Sequence, residues 1–162
     1  MKKLFVLALL ALGAIFVTGR VSLGESGAQR FIGQMETLMG EGKADEVCEM
    51  FHDDIEVVLN DESVAENSFT GGKDELCDRT RKVAAAMQLL PHTMNVTFED
   101  LVVEREWLHP WTSNVSYLED RSLRINAADV TLHTLSEDTI TLVQTLSGVK
   151  LLKLHADVSL VE

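Results

Sequence analysis

The sequence predicts an α+β domain, because helical periodicity fills the first part of the chain, alternation with period two fills the rest, and short turn signals punctuate the alternation. Its 162 residues suit one domain, and 46% hydrophobic with 25% charged residues is a composition that can form a core. Residues 28 to 39 read as a helix with Phe31, Met35 and Leu38 on one face and Ile32 and Met39 beside them, stopped by Gly40 and Gly42. A short second helix starts near Ala44 and sets Ala44, Val47, Cys48 and Phe51 at helical spacing. His52-Asp53-Asp54 then leads into a strand over 55–59, with Ile55, Val57 and Leu59 sharing one side. A polar loop runs to Ser68. The third helix extends from about Gly72 to Leu90, presents Leu76, Thr80, Val83, Met87 and Leu90, and ends at Pro91.

From His92 the period is two. Met94, Val96 and Phe98 alternate with polar residues, while Leu101 and Val103 fall on the opposite parity, so a bulge or turn belongs near Glu99 and Asp100. Further strands are expected over 115–118 or a longer stretch to Ile125, then over 130–135, 140–146 and 149–161. Ser136-Glu137-Asp138 and Ser147-Gly148 read as hairpin turns of a meandering antiparallel sheet. The last strand places Leu152, Leu154, Ala156, Val158 and Leu160 on a core face, opposite Lys153, His155, Asp157 and Ser159.

The amino terminus has its own logic. Met1-Lys2-Lys3 precedes an apolar run from Leu4 to Val17, the basic-then-apolar order of a secretory signal. At fourteen residues the run is short of the ~20 that a spanning helix needs. Residues 1–24 therefore read as a signal peptide, with an uncleaved inner-membrane anchor through 4–17 as the alternative, and 25–162 as the domain. The expected location is periplasmic or secreted.

The chain carries 14 Lys and Arg against 26 Asp and Glu, a formal net charge of -12, and loss of the signal removes Lys2, Lys3 and Arg20 but no acid. Nucleic-acid and anionic-lipid surfaces are held by basic clusters, so a nucleic-acid partner is excluded. Ten acids and one base, Lys43, lie between Glu41 and Glu66, in the manner of a solvated face. Cys48 and Cys77 make an even count, which in an oxidising compartment suits one disulfide; two buried thiols are the alternative.

Gly42-Lys43-Ala44-Asp45 through Met50-Phe51-His52-Asp53-Asp54, a strand, and Gly71-Gly72-Lys73-Asp74-Glu75-Leu76 opening a long helix together resemble the nuclear transport factor 2-like superfamily, which includes steroid delta-isomerases and polyketide-cyclase-like proteins. The resemblance covers roughly residues 28 to 161. It implies a cone in which a strongly curved antiparallel sheet wraps around about three helices and leaves a pocket at the open end. In the isomerase branch the general base corresponds to Leu59 and the oxyanion-stabilising Tyr to Met35, and neither side chain can do that chemistry. Asp61, two residues past Leu59, with His92 and Asp100, are the remaining acid/base candidates.

No Gly-x-Ser-x-Gly elbow, phosphate-binding glycine loop or His-Glu-x-x-His motif occurs, and neither a cofactor nor a metal is expected. His133 and His155 fall on a polar strand face as two surface histidines. Trp107-Leu108-His109-Pro110-Trp111 is an aromatic loop that either lines an apolar ligand site or covers a sheet edge, with Tyr117 following as a polar handle. Met35, Leu59, Met87, Trp107, Trp111 and Tyr117 are thus the expected ligand-contacting set. The first functional reading is an exported, non-enzymatic module for an apolar small molecule or a protein partner, dimerising through its sheet. An enzyme of the cyclase or isomerase type with a different acid/base set, and a membrane-anchored envelope component, stand beside it.

Overall fold

The computed structural model describes residues 23–64, 68–89, 92–105, 109–126 and 129–161. Three helices, α1 (Glu25–Gly40), α2 (Ala44–Glu49) and α3 (Lys73–Leu89), accompany six strands. The strands are β1 (Phe51–Asp61), β2 (Phe69–Gly71), β3 (His92–Glu104), β4 (Thr112–Ile125), β5 (Val130–Thr145) and β6 (Gly148–Leu160). They form one curved, unclosed sheet in the order β2-β1-β6-β5-β4-β3. The signal-like run over 4–17 lies outside the described residues, and among those described no helix is long and apolar enough to cross a membrane.

The helices pack on one face of the sheet. Phe31, Ile32 and Leu38 of α1, Val47 of α2 and Leu76 of α3 share a core with Ile55, Val57, Val115, Ile140, Leu142 and Leu151. The turn between α1 and α2 uses Gly42 at φ +72°, where a side chain would be strained and would meet Gln88. Cys48 is bonded to Cys77, which ties α2 to α3 at a Cα separation of 5.5 Å.

Several expectations are corrected. The sheet is mixed: β6 runs parallel to β1, with Val57 opposite Leu154 and Leu59 opposite Ala156, while every other pairing is antiparallel. β6 enters the sheet between β1 and β5, and period alone does not reveal which strands become neighbours. Ser136-Glu137-Asp138 makes no turn, because β5 runs unbroken through it, with Ser136 and Asp138 buried. β2, a three-residue edge strand, occupies the end of what reads as a loop. In β6 a register shift across from Thr141 and Leu142 brings Leu151 inward, fully buried, in place of Leu152. On α3, Ala84 is buried and Val83 exposed, which moves the buried stripe by one residue. Leu146 is in the β5–β6 turn, wholly exposed. The expected bulge is present: register shifts between Glu99 and Val102, with Asp100 at φ 51°.

Candidate functional site

The face of the sheet that receives the helices is apolar at one end and charged in its middle. On β4, Val115, Tyr117, Glu119 and Arg121 follow one another at period two, so all four project from that face. Across the β4–β5 ladder Tyr117 stands opposite Asp138 and Glu119 opposite Ser136, while on β3 Phe98 stands opposite Glu119. α1 lays Glu36 over the same belt. The concave side therefore gathers three carboxyls, a phenol and a guanidinium above the Val115, Ile140 and Leu142 core.

The contacts are specific. Arg121 Nη2 donates to Glu119 Oε1 at 2.6 Å and to Glu36 Oε1 at 3.1 Å. Tyr117 is hydrogen-bonded to Asp138, whose Oδ1 also accepts from the Ser136 hydroxyl. The Phe98 ring meets Tyr117 edge-on, with centroids 5.7 Å apart. The Glu119 side chain keeps 8% of its exposure and Arg121 keeps 39%, so the cluster is buried at Glu119 and partly open along Arg121. Arg121 Nε is buried without a hydrogen-bond partner among the described residues.

Burial dominates the electrostatics. It pushes Glu119 up to about 7, against the pull of Arg121 and with help from the Glu36 and Asp138 charges. Burial likewise raises Glu36, opposed by Arg121, and raises Asp138, opposed by its Ser136 and Tyr117 hydrogen bonds. The Tyr117 phenol is raised by burial and then by the Asp138 and Glu119 charges, which holds it neutral. Burial lowers Arg121, but the attraction of Glu36, Glu119 and Asp138 reverses the sign and keeps the guanidinium charged. One guanidinium cannot balance three ionised carboxylates, so Glu119 holds its proton for part of the time near neutrality.

Of the residues singled out from sequence, only Tyr117 belongs to this belt. Leu59, opposite Ala156, projects from the same face as Tyr117, and Met35 packs on the core; both are half-buried. Met87 is half-buried near the end of α3. Trp111 is 46% exposed at the start of β4, six residues before Tyr117, and Trp107 lies outside the described residues. Asp61 shares the parity of Leu59, yet its Oδ1 accepts from the backbone of Ser63 and Val64 and closes the turn after β1. His92 is half-buried at the start of β3, and Asp100 is exposed at the bulge. His133 and His155 pair with Asp120 and Asp157, and no group of metal-ligating residues forms among those described. Glu36, Glu119, Arg121 and Asp138 were missed, although charged residues at the core parity of β4 are a signal visible in the sequence.

Among the described residues, open clefts lie elsewhere. One of about 570 Å³ is lined by Arg30, Phe31, Met50 and Lys150, and one of about 510 Å³ borders the Cys48–Cys77 bridge. In the second, Lys73 and Arg81 are already paired with Asp53 and Asp45.

The solved structures show what this arrangement is. An NTF2-like protein with a cystatin-like fold from Novosphingobium aromaticivorans superposes with a TM-score of 0.62 over 94% of this chain and 88% of its own, at 14% identity. This chain has the nuclear transport factor 2-like fold. Two other proteins with structures similar to this nuclear transport factor 2-like chain are named for different roles. The beta subunit of benzoate 1,2-dioxygenase from Burkholderia mallei matches with a TM-score of 0.63 at 12% identity, covering 85% of this chain and 91% of its own. A hexachlorocyclohexane dehydrochlorinase from Novosphingobium barchaimii matches with 0.58 at 12%, covering 90% of each chain. No protein-family model and no curated protein matches the sequence. Identities this low carry the fold and leave the chemistry to the site.

Proposed function

We propose that the concave face binds a small organic molecule and moves a proton on it, with Glu119 as the acid, Glu36 as the base and Arg121 bridging the two. The observation that carries this reading is the single Arg121 nitrogen that reaches both carboxylates. A guanidinium shared by two carboxyls favours the ionised form of each, and burial limits how many can ionise, so one proton is exchanged within the site. Tyr117, kept neutral, is available as a hydrogen-bond donor to charge developing on the substrate. The dehydrochlorinase neighbour, named for removing hydrogen chloride from a small molecule, supports proton-transfer chemistry on this fold. The non-enzymatic reading drew on Leu59 and Met35 together with the aromatic loop around Trp111, and the carboxyl pair supplies ionisable groups that those positions lack.

The test is solvent-deuterium incorporation, followed by NMR, across a panel of small ketones and β-halogenated compounds. At least one compound should exchange at a rate that falls a hundredfold or more in Glu119→Gln, the scale of a lost general acid. Compounds that bind without exchange in either protein would make the site a binding module instead.

Export belongs to the same proposal, supported by the basic-then-apolar amino terminus and the bonded cysteines. Mass mapping of exported protein should find cleavage near Gly24 and Cys48 bonded to Cys77. A retained Met1 on membrane-bound material would point to the anchored component.

A further inference from the structure

We infer that the ligand is an amphiphile without negative charge, whose polar end meets the Arg121 belt and whose apolar body lies along Leu123, Leu132 and Leu160. This rests on the reading of the concave face as a small-molecule site and names its ligand class. The register places the three leucines next to the charged belt. Arg121 stands opposite Thr134, Thr134 opposite Leu160, and Leu123, two residues beyond Arg121, opposite Leu132. All three side chains share the parity of Tyr117 and Asp138 rather than that of the polar outer face, where Ser122, His133 and Ser159 sit.

Two of these leucines are nonetheless open to solvent, Leu132 at 42% and Leu160 at 47% exposed, with Leu123 half-buried beside them, although the same face is buried further along. Among the described residues, α1 ends at Gly40 beside Met94, the β3 residue opposite Leu123. Helical cover stops where the leucines begin. The exposed parts of Leu132 and Leu160, with the half-buried Leu123 beside them, offer far less apolar surface than the ~800 Å² per partner of a stable protein interface, so a small molecule fits the strip better than a second copy does. The strip also continues directly into the belt, so one ligand can use both. At that junction stand Glu36, Glu119 and Asp138 with one guanidinium, an excess of carboxyl groups that repels a carboxylate or phosphate head.

The experiment titrates the whole protein at pH 8 with n-butanol, n-hexanol, n-octanol and octanoate, using NMR shifts of the belt residues. The dissociation constant should fall about fourfold per added methylene in the alcohols, the value of burying one CH₂. Octanoate should bind at least tenfold more weakly than octanol. Leu132→Ser with Leu160→Ser should cut the gain from hexanol to octanol below twofold, whereas Leu132→Met with Leu160→Met should keep it; circular dichroism confirms that both variants fold. A flat alcohol series, octanoate binding as tightly as octanol, or a serine variant with an unchanged series would overturn the inference. So would a dimer, by sedimentation, that the serine pair dissolves. Binding as expected with no deuterium exchange would leave this inference standing and remove the catalytic proposal.

Discussion

Arg121→Met should destabilise the protein by about 2 kcal/mol at pH 8 and by less than half of that at pH 5, while abolishing proton exchange on any substrate. Breaking a fully buried ion pair costs about 3–5 kcal/mol. The lower figure applies because the Arg121 side chain keeps 39% exposure and solvent screens part of its field. The pH dependence follows from the carboxyls it holds. Glu119 rises from 4.5 to about 7 on folding, so the folded state binds the proton more tightly. Its contribution to stability is fully present below pH 4.5 and is lost as pH rises through about 7. Glu36 and Asp138 shift in the same direction. Wild-type stability should therefore decline across this window, and the variant, with nothing opposing the carboxylates, should decline more steeply. Urea unfolding at pH 5 and 8 measures both; equal losses at the two pH values would mean that Arg121 contributes packing rather than charge.

The second large effect concerns the bridge between α2 and α3. Cys48→Ser with Cys77→Ser should lower stability by about 3.5 kcal/mol, the chain-entropy value for a sequence separation of 29. For a domain of this size that corresponds to a fall of roughly 10 °C in Tm. Calorimetry of the variant and of reduced wild type should agree within about 1 kcal/mol. A loss near zero would show that the helices are held by Leu76 and Val47 without help from the cross-link.

The first helix was legible because it buries a stripe whose period survives in the sequence, with Phe31, Ile32 and Leu38 on α1. The bulge at Asp100 was legible for the same reason, since parity flips between Phe98 and Leu101. Ser136-Glu137-Asp138 misled because residues that favour turns in isolation sit here inside a strand, on positions reserved for the core. What holds them there is tertiary: Asp138 faces Tyr117 across the ladder, and Ser136 faces Glu119. The site was lost with the strand. Reading 136–138 as a turn removed Asp138 from the concave face, and without it the charged residues at 119 and 121 lacked a partner across the sheet. The resemblance points to Leu59 and Met35, the positions that correspond to the base and the oxyanion-stabilising Tyr of the isomerase branch, and says nothing of the belt. The charged belt proposed to handle the proton stands elsewhere, on β4, β5 and α1.

The placement of β6 between β1 and β5 has a consequence for how the molecule is assembled. Residues 23–71 and 92–145 supply the two flanks of the sheet, and no strand of one flank is bonded to a strand of the other. Gly148–Leu160 alone joins them, parallel on one side and antiparallel on the other. During synthesis both flanks are complete before Gly148–Leu160 is made, each with an open edge at what will become the centre of the sheet. The concave face acquires its shape only when the final strand enters that gap. A nascent chain stalled before Gly148 holds Tyr117, Glu119, Arg121 and Asp138 on a free ladder, ready to be misdirected into pairing with another chain.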